Sequence, residues 1–180
     1  MKIRSTYVSN SSSTSSVEIV NFGEESLPRA STLSKEVLLI PSPDAHHKFG
    51  WEWVDYDKFE DKLNFVAIQL MYLKMLDLRA KKHPQVKEDE YYGKFKKYLN
   101  LLKRVYKKEF KLNIAMNDKL LKEVEGYWLL DTGYYIDHQS CVDEGANLEM
   151  FESYESLKNF LKYSGSIISG GNDNESPYEW

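Results

Sequence analysis

Cysteine is nearly absent from this chain. Cys141 is the one cysteine in 180 residues, so no disulfide can close within it. A fold that does without disulfides suits a reducing compartment. Long apolar runs are lacking as well. The richest apolar stretch, Leu63 to Leu78, is broken by Asn64, Gln69, Lys74 and Asp77, which excludes it as a membrane span. The start, Met1-Lys2-Ile3-Arg4-Ser5-Thr6, is basic but has no apolar run behind it, so no secretory leader is expected. The Asn-x-Ser triplets at Asn10 and Asn174 then carry no glycan. Positive charge is not in excess: the net charge is −4, so the protein as a whole is not built to coat nucleic acid. The glycines and lysine of a phosphate-binding P-loop are missing. No metal and no cofactor are expected.

What remains is an ordinary globular composition, 42% hydrophobic and 29% charged, with length enough for a single domain over residues 1–180. Thirteen tyrosines lift the aromatic share to 14%, and the plain reading is core and boundary packing. The chain reads as α+β: a small mixed or antiparallel sheet packed on two long helices, with a short C-terminal helix.

Residues 2–8 and 17–22 read as strands, 24–34 as loop, and Val37 to Ile40 as a short buried strand closed by Pro41-Ser42-Pro43. A polar and aromatic loop follows over 44–54. Asp55 or Asp57 offers an N-cap for a helix reaching about Lys82. Its stripes Phe59, Leu63, Val66, Leu70, Leu73 and Phe65, Ile68, Tyr72, Met75 cover most of its girth, which makes it the central helix. A second helix is expected over 88–110, with Tyr91, Phe95, Tyr98, Leu102, Val105 and Tyr106 inward. Residues 112–116 suit a strand, 118–125 a helical turn, and 127–137 a strand bent near Thr132-Gly133. Ser153 caps a helix to Tyr163 with Leu157, Phe160 and Leu161 inward, and Ser166 to Ser169 is a last strand before an acidic tail from about residue 170.

Five features hold candidate chemistry. The first is the serine-rich loop over residues 9–16. Ser9, Asn10, Ser11, Ser12 and Ser13 offer hydroxyls and backbone N–H groups that can cradle an anion, although such composition usually means a flexible linker. The second is Asp137-His138-Gln139-Ser140. His138 is a candidate acid/base with Asp137 to orient it, but triad members come from separate parts of a fold, and a lone histidine is more often structural. Cys141 has no base beside it in the sequence.

The third feature is Asn172-Asp173-Asn174 after Gly170-Gly171, a turn by default whose oxygens also suit a hard cation, without the spacing of an EF-hand. The fourth, His46-His47, reads as loop. The fifth is the basic helix over residues 94–111, where eight Lys or Arg stand against one acid, Glu109. Such a face can meet phosphate or an acidic protein, though most are simply solvated and its tyrosines fall in the apolar stripe.

The opening Met1-Lys2-Ile3-Arg4-Ser5-Thr6-Tyr7-Val8-Ser9-Asn10-Ser11-Ser12-Ser13-Thr14-Ser15-Ser16 resembles an N-terminal signature of uncharacterised bacterial and bacteriophage proteins. In these, Met-Lys-(Ile/Val)-Arg is followed by an aromatic, Val-(Ser/Thr)-Asn and a serine run. This chain departs from the pattern at Thr14, which interrupts the run, and at Val17, where an aromatic is usual. The stretches around Asp137 to Ser140 and Gly171 to Asn174 are also similar to later segments of such proteins. The resemblance implies a phage or mobile-element source and a soluble accessory protein, and it names no activity.

Three functional expectations follow. The first is a non-enzymatic binding module for a host or phage protein or a phosphorylated small ligand, held by Ser9 to Ser13, Gln139, Ser140 and Asn172 to Asn174. The second is a small hydrolase or transferase using the serine loop with His138 and Asp137. The third is a virion or assembly component. The location is the host cytoplasm or the virion, no membrane is involved, and nucleic acid would meet the basic helix if it meets the chain at all. The two ends of the chain are expected to meet at one polar surface.

Overall fold

A helix buried on nearly every side organises the fold. The computed structural model describes residues 17–20, 25–43, 48–49, 54–125, 127–130, 135–136, 148–163 and 166–169. In chain order these form β1 (Val17–Val20), α1 (Ala30–Leu33), β2 (Leu38–Ile40), β3 (Lys48–Phe49), β4 (Val54–Tyr56), α2 (Phe59–Arg79), α3 (Lys94–Val105), β5 (Ile114–Met116), β6 (Leu121–Val124), β7 (Tyr127–Leu130), β8 (Tyr135–Ile136), α4 (Tyr154–Tyr163) and β9 (Ser166–Ser169). This is an α+β fold. Among the described residues, no helix is long and apolar enough to cross a membrane.

The central helix is α2, as its double apolar stripe predicts. Phe59, Leu63, Val66, Leu70 and Leu73 are buried, and so are Phe65, Ile68 and Met75. Its N-cap is neither aspartate: Lys58 holds that position without a side-chain cap. Asp55 lies in β4, and Glu60 and Asp61 in the first turn supply the negative charge that the helix dipole favours there. Lys62, Asn64 and Gln69 are buried on the same helix, and Asn64 accepts the Ser42 backbone N–H at 3.0 Å, tying α2 to the end of β2.

The second helix is shorter than its apolar stripe suggests. Residues Pro84–Glu88 make a 3₁₀ turn, and the Tyr91 N–H bonds back to Asp89 Oδ1 at 2.7 Å. That side-chain turn competes with helix. α3 begins only after Gly93, whose φ of +78° an L-residue rarely adopts. Asp77 Oδ1 of α2 accepts the Gly93 N–H at 2.8 Å, fixing the start of α3 against the central helix. The helix then widens into a π turn over Tyr106–Phe110, and Lys111 ends it at φ 58°.

Among the described residues, the strands form four small groups. β9 lies between β1 and β4 in an antiparallel sheet, with both Val17 and Val54 opposite Ser169. β2 pairs with β5 and β3 with β8, both parallel. β6 and β7 form an antiparallel hairpin. One hydrophobic cluster runs from Leu38 through α2 and α3 to Phe160 and Leu161 of α4. Tyr56, Tyr98 and Tyr106 are buried in it, as the packing reading of tyrosine expects, and Tyr98 stacks on Phe151 at 4.7 Å.

Several expectations need correction. The 24–34 loop contains α1, held because Glu60 Oε1 accepts both the Arg29 N–H and the Thr32 hydroxyl at 2.9 Å. The strand at 37–40 is not buried throughout, since Leu39 is 46% exposed. The 44–54 loop includes β3 and reaches β4. The helical turn at 118–125 is a 3₁₀ turn, Asp118–Leu120, followed by β6. The strand at 127–137 is two strands, β7 and β8, in different pairings. The C-terminal helix is as expected: Ser153 Oγ accepts the Ser156 N–H at 3.0 Å, and Leu157, Phe160 and Leu161 are buried.

Candidate functional site

Most of the residues to which the sequence assigns chemistry lie outside the described residues. These are Ser9, Asn10, Ser11, Ser12, Ser13, His46, His47, Asp137, His138, Gln139, Ser140, Cys141, Asn172, Asp173 and Asn174. The described strands that adjoin the two terminal segments are neighbours, because Val17 pairs with Ser169. β8, which ends one residue before Asp137, pairs with β3 instead. Among the described residues, no three His, Cys, Asp or Glu side chains gather as a metal site would require.

The basic helix is described throughout, and its geometry is specific. Tyr98, Leu102, Val105 and Tyr106 turn into the core. At about 100° per residue, Lys96, Lys97, Asn100, Lys103 and Arg104 share one arc of roughly 120° on the other side. All five are exposed, and exposed Lys107 and Lys108 extend the face along the π turn. From Lys96 to Lys108 the face runs about 18 Å, at a rise of about 1.5 Å per residue.

The single acid of this stretch, Glu109, is half-buried and engaged by α4. The Tyr154 hydroxyl, at the start of α4, donates to Glu109 Oε1 at 2.5 Å. This hydrogen bond, helped by Lys158, Lys162 and Lys108 nearby, holds the Glu109 carboxyl below the usual carboxylate range. Burial, the bond to Glu109 and the Glu109 charge together push the Tyr154 hydroxyl up to about 12. Arg104 and Lys108, one helical turn apart, each lie 5.2 Å from the centre of the Tyr154 ring, where the negative face of the ring attracts a cation. The tyrosine thus occupies Glu109 with its hydroxyl and steadies two cations with its ring.

Among the described residues, none of Lys96, Lys97, Lys103, Arg104, Lys107 and Lys108 pairs with a carboxylate. The contrast with other cations is direct. Arg29 pairs with Glu60 at 3.7 Å, Lys74 with Asp118 at 2.5 Å, Lys158 with Glu155 at 2.5 Å, Lys162 with Glu25 at 2.8 Å, and Lys82 with Glu123. The sequence reveals the basic run as a string. It does not reveal Tyr154, which lies 45 positions from Glu109 and carries no local signal of that contact. Comparison with protein-family models, curated proteins and solved structures finds no match.

Proposed function

We propose that the chain is a non-enzymatic binding module whose working surface is the basic face of α3, and that its partner is anionic. The observation that supports this most directly is the Tyr154–Glu109 hydrogen bond. It engages the one acid of residues 94–111, and among the described residues none of the exposed cations from Lys96 to Lys108 forms an ion pair with a carboxylate. A row of like charges on one helix repels itself. An anion laid along it relieves that repulsion and releases counterions.

A host or phage protein with an acidic surface fits this chemistry, and so does a phosphorylated ligand. The resemblance of residues 1–16 to phage and bacterial proteins supports an accessory role in the host cytoplasm or at the virion. The hydrolase reading needs the serine loop, Asp137 and His138 to converge, and all of these lie outside the described residues.

The test is retention of the full chain on an immobilised polyanion, heparin, at neutral pH and low salt. A protein of net charge −4 has no reason to bind such a column unless its positive charge is local. Retention released by salt supports the proposal, and passage in the void volume overturns it.

A further inference from the structure

We infer that the anionic partner of the α3 face is the phosphate backbone of a double-stranded nucleic acid, read without regard to sequence. The inference rests on the anionic-partner reading above and narrows it. Three observations carry it, and all concern what the face displays.

Its residues are mostly lysine. Lys96, Lys97, Lys103, Lys107 and Lys108 accompany a single arginine, Arg104, and a single neutral polar residue, Asn100. Protein interfaces are depleted in lysine, and their binding energy concentrates in buried aromatic, apolar and arginine anchors. This face has no exposed apolar or aromatic residue between Lys96 and Lys108 to act as such an anchor. An acidic protein would find charge there but nothing to desolvate. A phosphate backbone needs only compact point charges, which lysine supplies.

The same bareness separates duplex from single strand. Single strands are held by aromatic platforms on which bases stack. Within α3 and its π turn Tyr98 and Tyr106 are buried, and the neighbouring Tyr154 ring of α4 is already occupied by Arg104 and Lys108. A duplex hides its bases and offers phosphates in a row. The cationic row, about 18 Å long at roughly 1.5 Å per residue, spans several of them, since duplex DNA carries about one charge per 1.7 Å of axis.

The net charge of −4 does not oppose this. At about 0.15 M salt, charges beyond roughly 8 Å are largely screened, so a phosphate on the face senses the lysines more than the acidic remainder. That remainder limits affinity and makes binding steeply salt-dependent.

The experiment is fluorescence anisotropy of the full chain with a labelled DNA duplex of about 20 base pairs, the matching RNA duplex, and the single strand, each over a salt series. A poly-glutamate of similar length competes in a second set. Either or both duplexes should bind, the single strand should bind at least about fivefold more weakly, and the slope of log K against log salt should be steep. In Lys96→Glu/Lys103→Glu/Lys107→Glu, duplex affinity should fall at least about 30-fold and the slope should flatten by roughly 3. Because a reversed charge can disturb the helix, Lys96→Gln/Lys103→Gln/Lys107→Gln is measured beside it with a thermal melt, and should show the same direction at wild-type stability. Equal binding of single strand and duplex overturns the inference. So does poly-glutamate binding without duplex binding, though the anionic-partner reading then survives. If no polyanion binds, both fail.

Discussion

The Tyr154 hydroxyl donates to Glu109 Oε1 at 2.5 Å, and this bond ties α4 to the one acid at the end of the basic helix. With Glu109 engaged, the face from Lys96 to Lys108 presents cations and one asparagine. Tyr154→Phe should free Glu109 to swing toward Lys108 and weaken polyanion binding by roughly two- to threefold, the scale of one exposed ion pair. Glu109→Gln in the Tyr154→Phe background should restore it. A double-mutant cycle by anisotropy checks this, and additive effects would contradict it.

The same bond has a signature in alkali. Burial and the bond to Glu109 push the Tyr154 hydroxyl up to about 12, against about 10 for an ordinary tyrosine. A folded-state pKa raised above the unfolded one gives stability that is complete below about pH 10 and is lost as pH climbs toward 12. Burial pushes the Tyr106 hydroxyl up as well, so its contribution has the same sign. Thermal melts should therefore fall across pH 10 to 12, and fall less steeply in Tyr154→Phe. Tyrosinate absorbance should show one fewer late-titrating group in that variant.

Tyr106 supplies a second stability test. Its hydroxyl is buried without a hydrogen-bond partner among the described residues, while its ring packs 5.8 Å from Phe59 and 5.5 Å from Phe110. A buried unpaired hydroxyl costs about 1–3 kcal/mol. Tyr106→Phe should keep the ring packing, remove that cost and raise stability by about 1 kcal/mol in a chemical denaturation curve. A loss of similar size would mean that the hydroxyl has a partner.

Gly93 tests how α3 is launched. A Cβ there would meet no atom within 4 Å, but φ is +78°. Gly93→Ala should therefore destabilise through backbone strain alone, by about 1–2 kcal/mol, and Gly93→Asn by less, since asparagine tolerates this region better. Asp77→Ala should add a loss by removing the acceptor of the Gly93 N–H. Denaturant midpoints of the three variants check the order.

The fold was legible where side-chain period and burial agree. Two apolar stripes on Phe59 to Met75 announce a helix covered on most sides, and the run Ser166-Ile167-Ile168-Ser169 announces a strand. Two of the misses share one cause, which is that a distant partner decides local structure. Ala30 to Leu33 has no helical period and turns because Glu60 holds Arg29 and Thr32. Leu121-Lys122-Glu123-Val124 would suit a helix and is a strand because β7 lies opposite. The apolar stripe extends through Tyr91, but Asp89 and Gly93 impose turns before α3 can begin. The candidate site follows the same rule. Its lysines can be counted in the sequence, whereas the engagement of Glu109 depends on a tyrosine far along the chain.

On the proposed reading the face, not the overall charge, does the binding. Lys103→Glu/Lys107→Glu and Lys35→Glu/Lys119→Glu make the same change in net charge, and all four lysines are exposed. The salt concentration at which each variant and the parent leave a heparin column separates the two ideas. The first variant should pass through unretained while the second elutes close to the parent. Equal loss in both variants would show that net charge alone governs retention and would contradict it.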